Sequence, residues 1–388
     1  MHKMTNGAII IEGHVQGLSN TRSLGQVGIP VIVIDKHKSV ASYSRYCKSF
    51  FKCPSFELDE FADFLINLAV QENLNGWVLI PSNDHAVFTI SRNKINLEKH
   101  FRVITPEINI INNIYNKSRL LSIAQEVNIP IPKTYYPSED FWTGVGLTFP
   151  VLTKGRQGLD FYKATGKKAF LANDHKELQN QLEIINRVFN VANTFIQELI
   201  PFDGTNKTIS FTAFCVNGEI KAYWMGVKLR EHPLRFGTAT FAQSVYVEKC
   251  YKQSVPLLKA LNYTGVCEVE YLFDPRDSQY KLIEINARTW LWVGLAKACG
   301  VDFAKMIYDF ANDNETYYPS TYEVGVKWYN PVSDTLFAFA AMLKGYLKPG
   351  QHLRSIMSGK NVNALFVKGD LKPGFAYFFN LLSFLKHR

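Results

Sequence analysis

A chain of 388 residues, 47% hydrophobic and 14% aromatic, is long enough for two or three domains with sizeable cores, which excludes a disordered or fibrous protein. Its formal charge is +9, yet residues 344–388 carry eight Lys or Arg against one acid, so +7 lies in that tail and +2 in the rest. The six cysteines include no Cys-x-x-Cys pair, no apolar run is long enough to span a membrane, and the amino terminus lacks the apolar run of a signal peptide, so a cytoplasmic protein with reduced thiols and no zinc site is expected.

The apolar run Ala8 to Ile11, a turn at Gly13 to Gly17, a helical stretch through Leu24 and a second apolar run, Val31 to Ile34, open a parallel βαβ unit. With a helix at Phe61 to Glu72 and strands at Trp77 to Ile80 and Arg102 to Ile104, they predict a Rossmann-like domain over residues 1–108. Polar residues follow the strands: Ser19 and Arg22, then Asp35, then Asn83 and Asp84. Asp35 also suits a dinucleotide ribose, but Gly13-x-x-x-Gly17 is not the Gly-x-Gly-x-x-Gly spacing, which weakens a dinucleotide-dependent oxidoreductase as an alternative.

Lys117 begins a helix that runs to Val127 and stops before Ile129-Pro130. Lysine is disfavoured by the dipole in a first helical turn, which draws attention to an anionic ligand. A strand from Thr148 to Thr153 leads into Lys154 and a basic, glycine-containing segment, Gly155 to Lys168, expected to be a mobile phosphate-covering loop or a solvent-exposed hairpin. A helix at His175 to Val188 feeds the strand Thr194 to Ile200, containing Gln197, Glu198 and Leu199 and followed by Asp203. Two strands meet at Asn217-Gly218, a type I′ turn signal, and the cations Lys228, Arg230, His232 and Arg235 follow.

Two strand-like runs then flank the turn Asp274 to Ser278. A hairpin centred near Asp277 pairs Phe273 near Lys281 and sets Glu270 opposite Glu284, with Asn286 and Arg288 on the same face at period two. Like charges directly opposite destabilise a strand pair, and a hard divalent cation between them reverses the sign. A polar, solvated hairpin face accounts for the same residues equally well when they are taken alone. Helices at Asp334 to Met342 and Gly374 to Leu385 complete the chain, the last with almost no polar face, so it docks on its own domain, on a partner or at a membrane surface.

Lys117, Lys154, the run Phe195-Ile196-Gln197-Glu198-Leu199-Ile200-Pro201 and Glu270…Glu284-x-Asn286-x-Arg288 occur in an order and at intervals that resemble the ATP-grasp superfamily of carboxylate-amine ligases over residues 1 to about 310. The resemblance implies an α/β protein, α+β in its nucleotide-binding part. A Rossmann-like domain is followed by an ATP-grasp fold over residues 109–310, with two subdomains joined near 190, and by a basic helical extension, 311–388. It further implies that Lys117 and Lys154 hold ATP phosphates, that Gln197, Glu198 and Leu199 line the adenine, and that Asp203 meets the ribose. Glu270, Glu284 and Asn286 then correspond to ligands of Mg2+ or Mn2+, Arg288 to the cation on the transferring phosphoryl group, and Lys228 or Arg230 to contacts of the γ-phosphate or acyl phosphate. Glu268, on the same strand face, is an alternative to Glu270.

The implied substrates are a small carboxylate and an amine, with no nucleic acid. A homodimer, and a membrane or protein contact through the basic tail at the inner membrane face, are compatible with this. The runs Arg230-Glu231-His232-Pro233 and Leu282 to Trp290 look most like those of predicted ligases similar to D-aspartate ligase. A nucleotide-binding module without catalysis is the main alternative.

Overall fold

Alternating buried strands and amphipathic helices in the first hundred residues build a five-stranded parallel sheet in the computed structural model, which describes residues 6–137, 146–201, 206–232, 237–343 and 348–386. Its elements are β1 (Ala8–Ile11), α1 (Val15–Gln26), β2 (Val31–Asp35), β3 (Cys47–Lys52), α2 (Glu60–Gln71), β4 (Val78–Pro81), α3 (Asp84–Arg92), α4 (Lys94–Leu97) and β5 (Arg102–Val103), with strand order β3-β2-β1-β4-β5. Every residue of β1, β2 and β4 is buried, as strands covered on both faces require. Strand β3 leaves little mark in the sequence, because an edge strand is only partly buried and its Cys47-Lys-Ser-Phe-Phe-Lys52 pattern lacks a continuous apolar run.

Helices α5 (Ile108–Tyr115) and α6 (Lys117–Glu126) lead to a small antiparallel sheet of β6 (Thr134–Tyr135), β7 (Val151–Gly155), β8 (Phe170–Ala172) and β9 (Thr194–Glu198), in order β6-β9-β7-β8. It is backed by α7 (Gly158–Thr165) and α8 (His175–Asn186), and Val151, Ala172, Leu178, Leu182 and Ile196 form its core. A helix thus stands where a mobile loop or hairpin was expected. Phe161 is fully buried and meets Phe170 and Phe189 edge-on, which anchors the turn that the glycines alone would leave loose.

The remaining elements are β10 (Thr208–Val216), β11 (Glu219–His232), β12 (Thr238–Ser244), α9 (Glu248–Ala260), β13 (Gly265–Asp274), β14 (Gln279–Asn286), α10 (Val293–Ala298), α11 (Phe303–Ala311), β15 (Lys327–Tyr329), α12 (Pro331–Leu343), α13 (Pro349–Met357), β16 (Asn361–Asn363) and α14 (Lys372–Lys386). They form a seven-stranded sheet in order β14-β13-β10-β11-β12-β15-β16. Asn217 and Gly218 both have positive φ, as the type I′ turn requires. The carboxyl-terminal segment is helical as anticipated, and it also adds β15 and β16 to the main sheet.

One face of that sheet packs on α5, α6 and α9. The other, through Trp224, Trp290 and Trp292, shares a continuous core with Ile10, Val33 and Leu18 of the parallel-sheet domain. Helix α14 lies against the turn at 40–43, with Phe375 against Phe366, yet Phe375, Phe378 and Phe379 remain 54, 45 and 64% exposed. Among the described residues no helix is long and apolar enough to cross a membrane.

Arg22, on α1, ties the carboxyl-terminal segment to the first domain. Its guanidinium donates to the Asp370 carboxylate at 2.8 Å and to the carbonyls of Ala364, Leu365 and Asp370, while Ser44 and the Arg45 amide also donate to Asp370. Removing one partner strands a buried charge and several acceptors. Arg22→Ala is therefore expected to lower the unfolding free energy by about 3–5 kcal/mol in urea titrations, and to make the segment from Ala364 onward the first site of limited proteolysis.

Candidate active site

The hairpin of β13 and β14 sets the site. Pairing starts at Asp274 with Gln279 and runs through Phe273 with Tyr280 and Leu272 with Lys281, one residue away from the expected register. A bulge then shifts the ladder so that Glu270 does stand opposite Glu284 and Glu268 opposite Asn286. Two carboxylates thus face each other on one sheet surface, and each is met by a lysine.

Lys117 Nζ donates to Glu284 Oε2 at 2.8 Å, and Lys228 Nζ reaches both oxygens of Glu270 at 3.0 and 3.1 Å. Asn116 caps α6 by accepting from the amides of Ser118 and Arg119, which leaves Lys117 at the helix start directed toward the sheet. Its ion pair with Glu284 offsets the unfavourable dipole position. Lys117 holds the Glu284 carboxyl down to about 2 against the opposing effect of burial, and Lys228 and Lys154 add to the depression. Burial alone would lower the Lys117 and Lys228 ammonium groups, but Glu284 and Glu270 respectively carry them above the usual lysine range.

Glu268 is placed differently. It is 3% exposed, accepts from Ser210 Oγ at 2.7 Å and from Asn286 Nδ2 at 3.0 Å, and burial together with Glu270 pushes it up to about 7. Holding the amide nitrogen of Asn286 leaves the Oδ1 atom on the side of Arg288, whose Nη2 lies 3.5 Å away. Ser210 was not singled out from sequence, since one serine in an apolar strand gives no signal of its own.

On the small sheet, Lys154 Nζ donates to Gln197 Oε1 at 3.0 Å, and Gln197 in turn donates to Thr134. Burial, and then repulsion from Lys117, pull the Lys154 ammonium down to about 8. The Glu198 side chain is 6% exposed, accepts from Tyr135 and the Thr148 amide, and pairs with Lys133 and Arg276. The amides of Glu198 and Leu199 donate to the carbonyls of Lys133 and Pro150. Asp203 and Arg235 lie outside the described residues.

Arg288 forms a bidentate pair with Asp84, both contacts at 2.9 Å, and Tyr115 donates to the Asp84 carbonyl. Asp84 had been visible only as a polar residue after a strand; its pairing with Arg288 brings the first domain onto the hairpin. Arg230 is not brought to this cluster. It grips Asp334 at 2.6 and 2.8 Å and Ser355 at 2.8 Å and lies over Phe241, so it fastens α12 and α13 to the sheet. A bulge between Lys228 and Arg230 separates their directions.

Among the described residues no three His, Cys, Asp or Glu side chains form a ready-made metal cage. Glu270, Glu284 and the Asn286 amide nevertheless form an all-oxygen donor set, and Mg2+ ordinarily takes one or two carboxylates and completes its shell with water and phosphate oxygens. These residues therefore fit a hard divalent cation. The glycines after β1 serve packing instead of a dinucleotide: a Cβ on Gly17 would lie 2.2 Å from the Glu12 carbonyl oxygen, one on Gly13 would lie 2.2 Å from Ser39 Oγ, and the Gly13 amide donates to Asp35.

Residues 238–316 match a family model described as the carbamoyl-phosphate synthase L chain, ATP binding domain. The chain is 24% identical over 284 residues to a D-aspartate ligase of Enterococcus faecium, covering 69% of this chain and 68% of the relative. Its fold is similar to the biotin carboxylase domain of Hydrogenobacter thermophilus 2-oxoglutarate carboxylase, solved with MgADP and bicarbonate (TM-score 0.64, 15% identity, 84% and 74% of the two chains). It is also similar to the L-amino acid ligase of Bacillus licheniformis (TM-score 0.60, 16% identity, 81% and 76%).

A depressed lysine binds its proton less readily when folded than when unfolded, so between about 8 and 10.5 stability rises with pH, and below 8 the full destabilisation is present. Lys154→Met is therefore expected to raise the melting temperature at neutral pH by a few degrees. In melts at increasing pH the gain should shrink through that window.

Proposed function

We propose that the chain is an ATP-grasp enzyme, an ATP- and Mg2+-dependent ligase that activates a carboxylate as an acyl phosphate and joins it to an amine. The observation that carries this reading is the convergence of Glu270, Glu284, Asn286, Lys117, Lys154, Lys228 and Arg288 around one hairpin. No serine or cysteine nucleophile is needed, because phosphoryl transfer to a carboxylate depends chiefly on positioning and charge neutralisation.

Lys117 and Lys154 would bind phosphates, exchanging Glu284 and Gln197 for phosphate oxygens. Glu270, Glu284 and Asn286 would then hold Mg2+, whose charge would offset that of the phosphates. Arg288, fixed by Asp84 and by the Thr289 carbonyl, would offer the one Nη1 hydrogen left over to the phosphoryl group in transit, and Lys228 would neutralise charge beside Glu270. Glu198 and Leu199 would meet the adenine through their carbonyls, since their amides are engaged. Asp203 remains the proposed ribose contact. The relative's name makes D-aspartate the first acid to try.

The exposed aromatic face of α14 supports a second, separate reading. Leu371, Phe375, Phe378 and Phe379 are exposed, with the exposed Lys368 and Lys372 close by in sequence, a combination suited to an anionic membrane surface. Truncation before Asp370 would disturb the Arg22 anchor, so the clean variant is Phe375→Ser with Phe379→Ser. Wild type is expected to sediment with anionic vesicles and this variant to stay in the supernatant; equal behaviour of the two removes the membrane reading.

The ligase reading predicts ADP and phosphate release that requires Mg-ATP and an acid from a panel led by D-aspartate, and that rises on adding an amine. Glu284→Gln and Lys154→Ala should each lower the rate by about 100-fold or more, with circular dichroism unchanged. Full activity in both variants would refute the assignment of the site.

A further inference from the structure

In an open α/β sheet, ligands collect outside the carboxyl ends of the strands where the strand order reverses. The order β3-β2-β1-β4-β5 puts that point between β1 and β4. Glu12 directly follows β1, and Asn83 and Asp84 follow β4. Asp84 is the partner of Arg288, while Asn20 and Ser82 approach Thr289, so the crevice opens onto the hairpin that carries the proposed phosphate and metal residues.

Glu12 has φ of +70°. Seven non-glycine residues among those described have positive φ; the other six are Asn, Asp or Ser in turns, where that conformation is tolerated. A glutamate there is backbone strain that the surroundings must impose. The Glu12 amide donates to the Ile34 carbonyl, and α1 crosses so closely at Gly17 that a Cβ would touch the Glu12 carbonyl oxygen. Asn83 Nδ2 donates to Oε1 at 2.9 Å and Gln16 Nε2 to Oε2 at 2.8 Å. Among the described residues no Lys, Arg or His forms an ion pair with Glu12, and the residue is half-buried.

We propose that Glu12 receives the amine nucleophile of this ligase, binding its ammonium and taking its proton. This rests on the ligase reading of the hairpin site. Fixed amide donors hold both carboxylate oxygens in place without neutralising them, so the negative charge is available to a cationic substrate group. Burial pushes the carboxyl up to about 7, with Asp35 and Asp84 adding to the rise and Asn83 and Arg288 opposing it, a value suited to a base at neutral pH. His14 faces the Gln16 side chain at 3.4 Å on the same wall.

The step balances as follows. R–NH3+ gives one proton to the Glu12 carboxylate, and R–NH2 attacks the acyl carbon of the acyl phosphate. The C–N bond forms as the C–O bond to phosphate breaks, the second amine proton leaves with phosphate as hydrogen phosphate, and Glu12 returns its proton to solvent.

Hydroxylamine separates the two halves of the reaction, because it is neutral at pH 7.5 and traps an acyl phosphate as a hydroxamate without prior loss of a proton. With Mg-ATP and D-aspartate or another acid of the panel, Glu12→Gln should lower amide formation with amino-acid amines by about 100-fold or more relative to hydroxamate formation. Equal loss of both products would mean that Glu12 is structural or binds the acid, and unchanged production of both would mean that it has no role; either result overturns the proposal. Absence of hydroxamate with wild-type protein and every acid would instead refute the ligase reading, and this proposal with it. Glu12→Gly keeps the left-handed backbone without its strain, so it should melt at or above the wild-type temperature while showing the same selective loss of amide. A lower melting temperature with proportionate loss of both products would assign Glu12 to the fold alone.

Discussion

Two carboxylates held opposite each other on neighbouring strands are the constraint around which the rest of the site is arranged. A pairing of Glu270 with Glu284 disfavours the hairpin unless cations compensate it, and the chain supplies Lys228 from the adjoining part of the sheet and Lys117 from the start of a helix. Both lysines, in turn, occupy positions that burial or a helix dipole would make unfavourable if the carboxylates were absent. Each charge is tolerable because of its partner. The arrangement is therefore exchangeable: a divalent cation can take over the carboxylates, and phosphate oxygens can take over the lysines, without leaving a buried charge alone.

The same logic joins the first domain to the hairpin. Arg288 lies two residues beyond Asn286 and is fixed by Asp84, which follows β4 of the parallel sheet. The continuous core through Ile10, Trp224, Trp290 and Trp292 then keeps the switch point of that sheet pressed against the chemistry-bearing strands. Further from the site, Arg22 with Asp370 and Arg230 with Asp334 fasten the carboxyl-terminal elements to the two sheets. A cation in a basic cluster need not face a ligand; Arg230 serves cohesion although it follows Lys228 by only two residues.

Much of this was legible in the residues. Period-two spacing placed Glu270 across from Glu284, the Asn217-Gly218 turn was plain, and the three buried strands of the first domain read as apolar runs. The bulge was not legible, since β13 keeps an unbroken register with β10 and the unpaired residue, Ile283 on β14, sits in an ordinary apolar run; the facing carboxylates were predicted correctly from a register that differs nearer the turn. Likewise α7 depends on one buried phenylalanine, Phe161, amid a run whose glycines and lysines suggest a loop. Long-range pairs such as Arg288 with Asp84 and Arg22 with Asp370 link residues more than two hundred positions apart, so local pattern carries no trace of them.

The small antiparallel sheet bears on how such a site would close. Its own core is limited to a few side chains around Val151, Leu182 and Ile196, and segments with few buried contacts are those that move at low cost. It carries Lys154, whereas Lys117 belongs to the helix that precedes it, and the two ammonium groups repel each other strongly enough to help depress the Lys154 proton affinity. An anion placed between them turns that repulsion into two attractions and raises the proton affinity of Lys154 again. Closure of this subdomain over a polyphosphate would thus be driven by the ligand's own charge, and without the anion the same pair of lysines favours the sheet standing off from the hairpin.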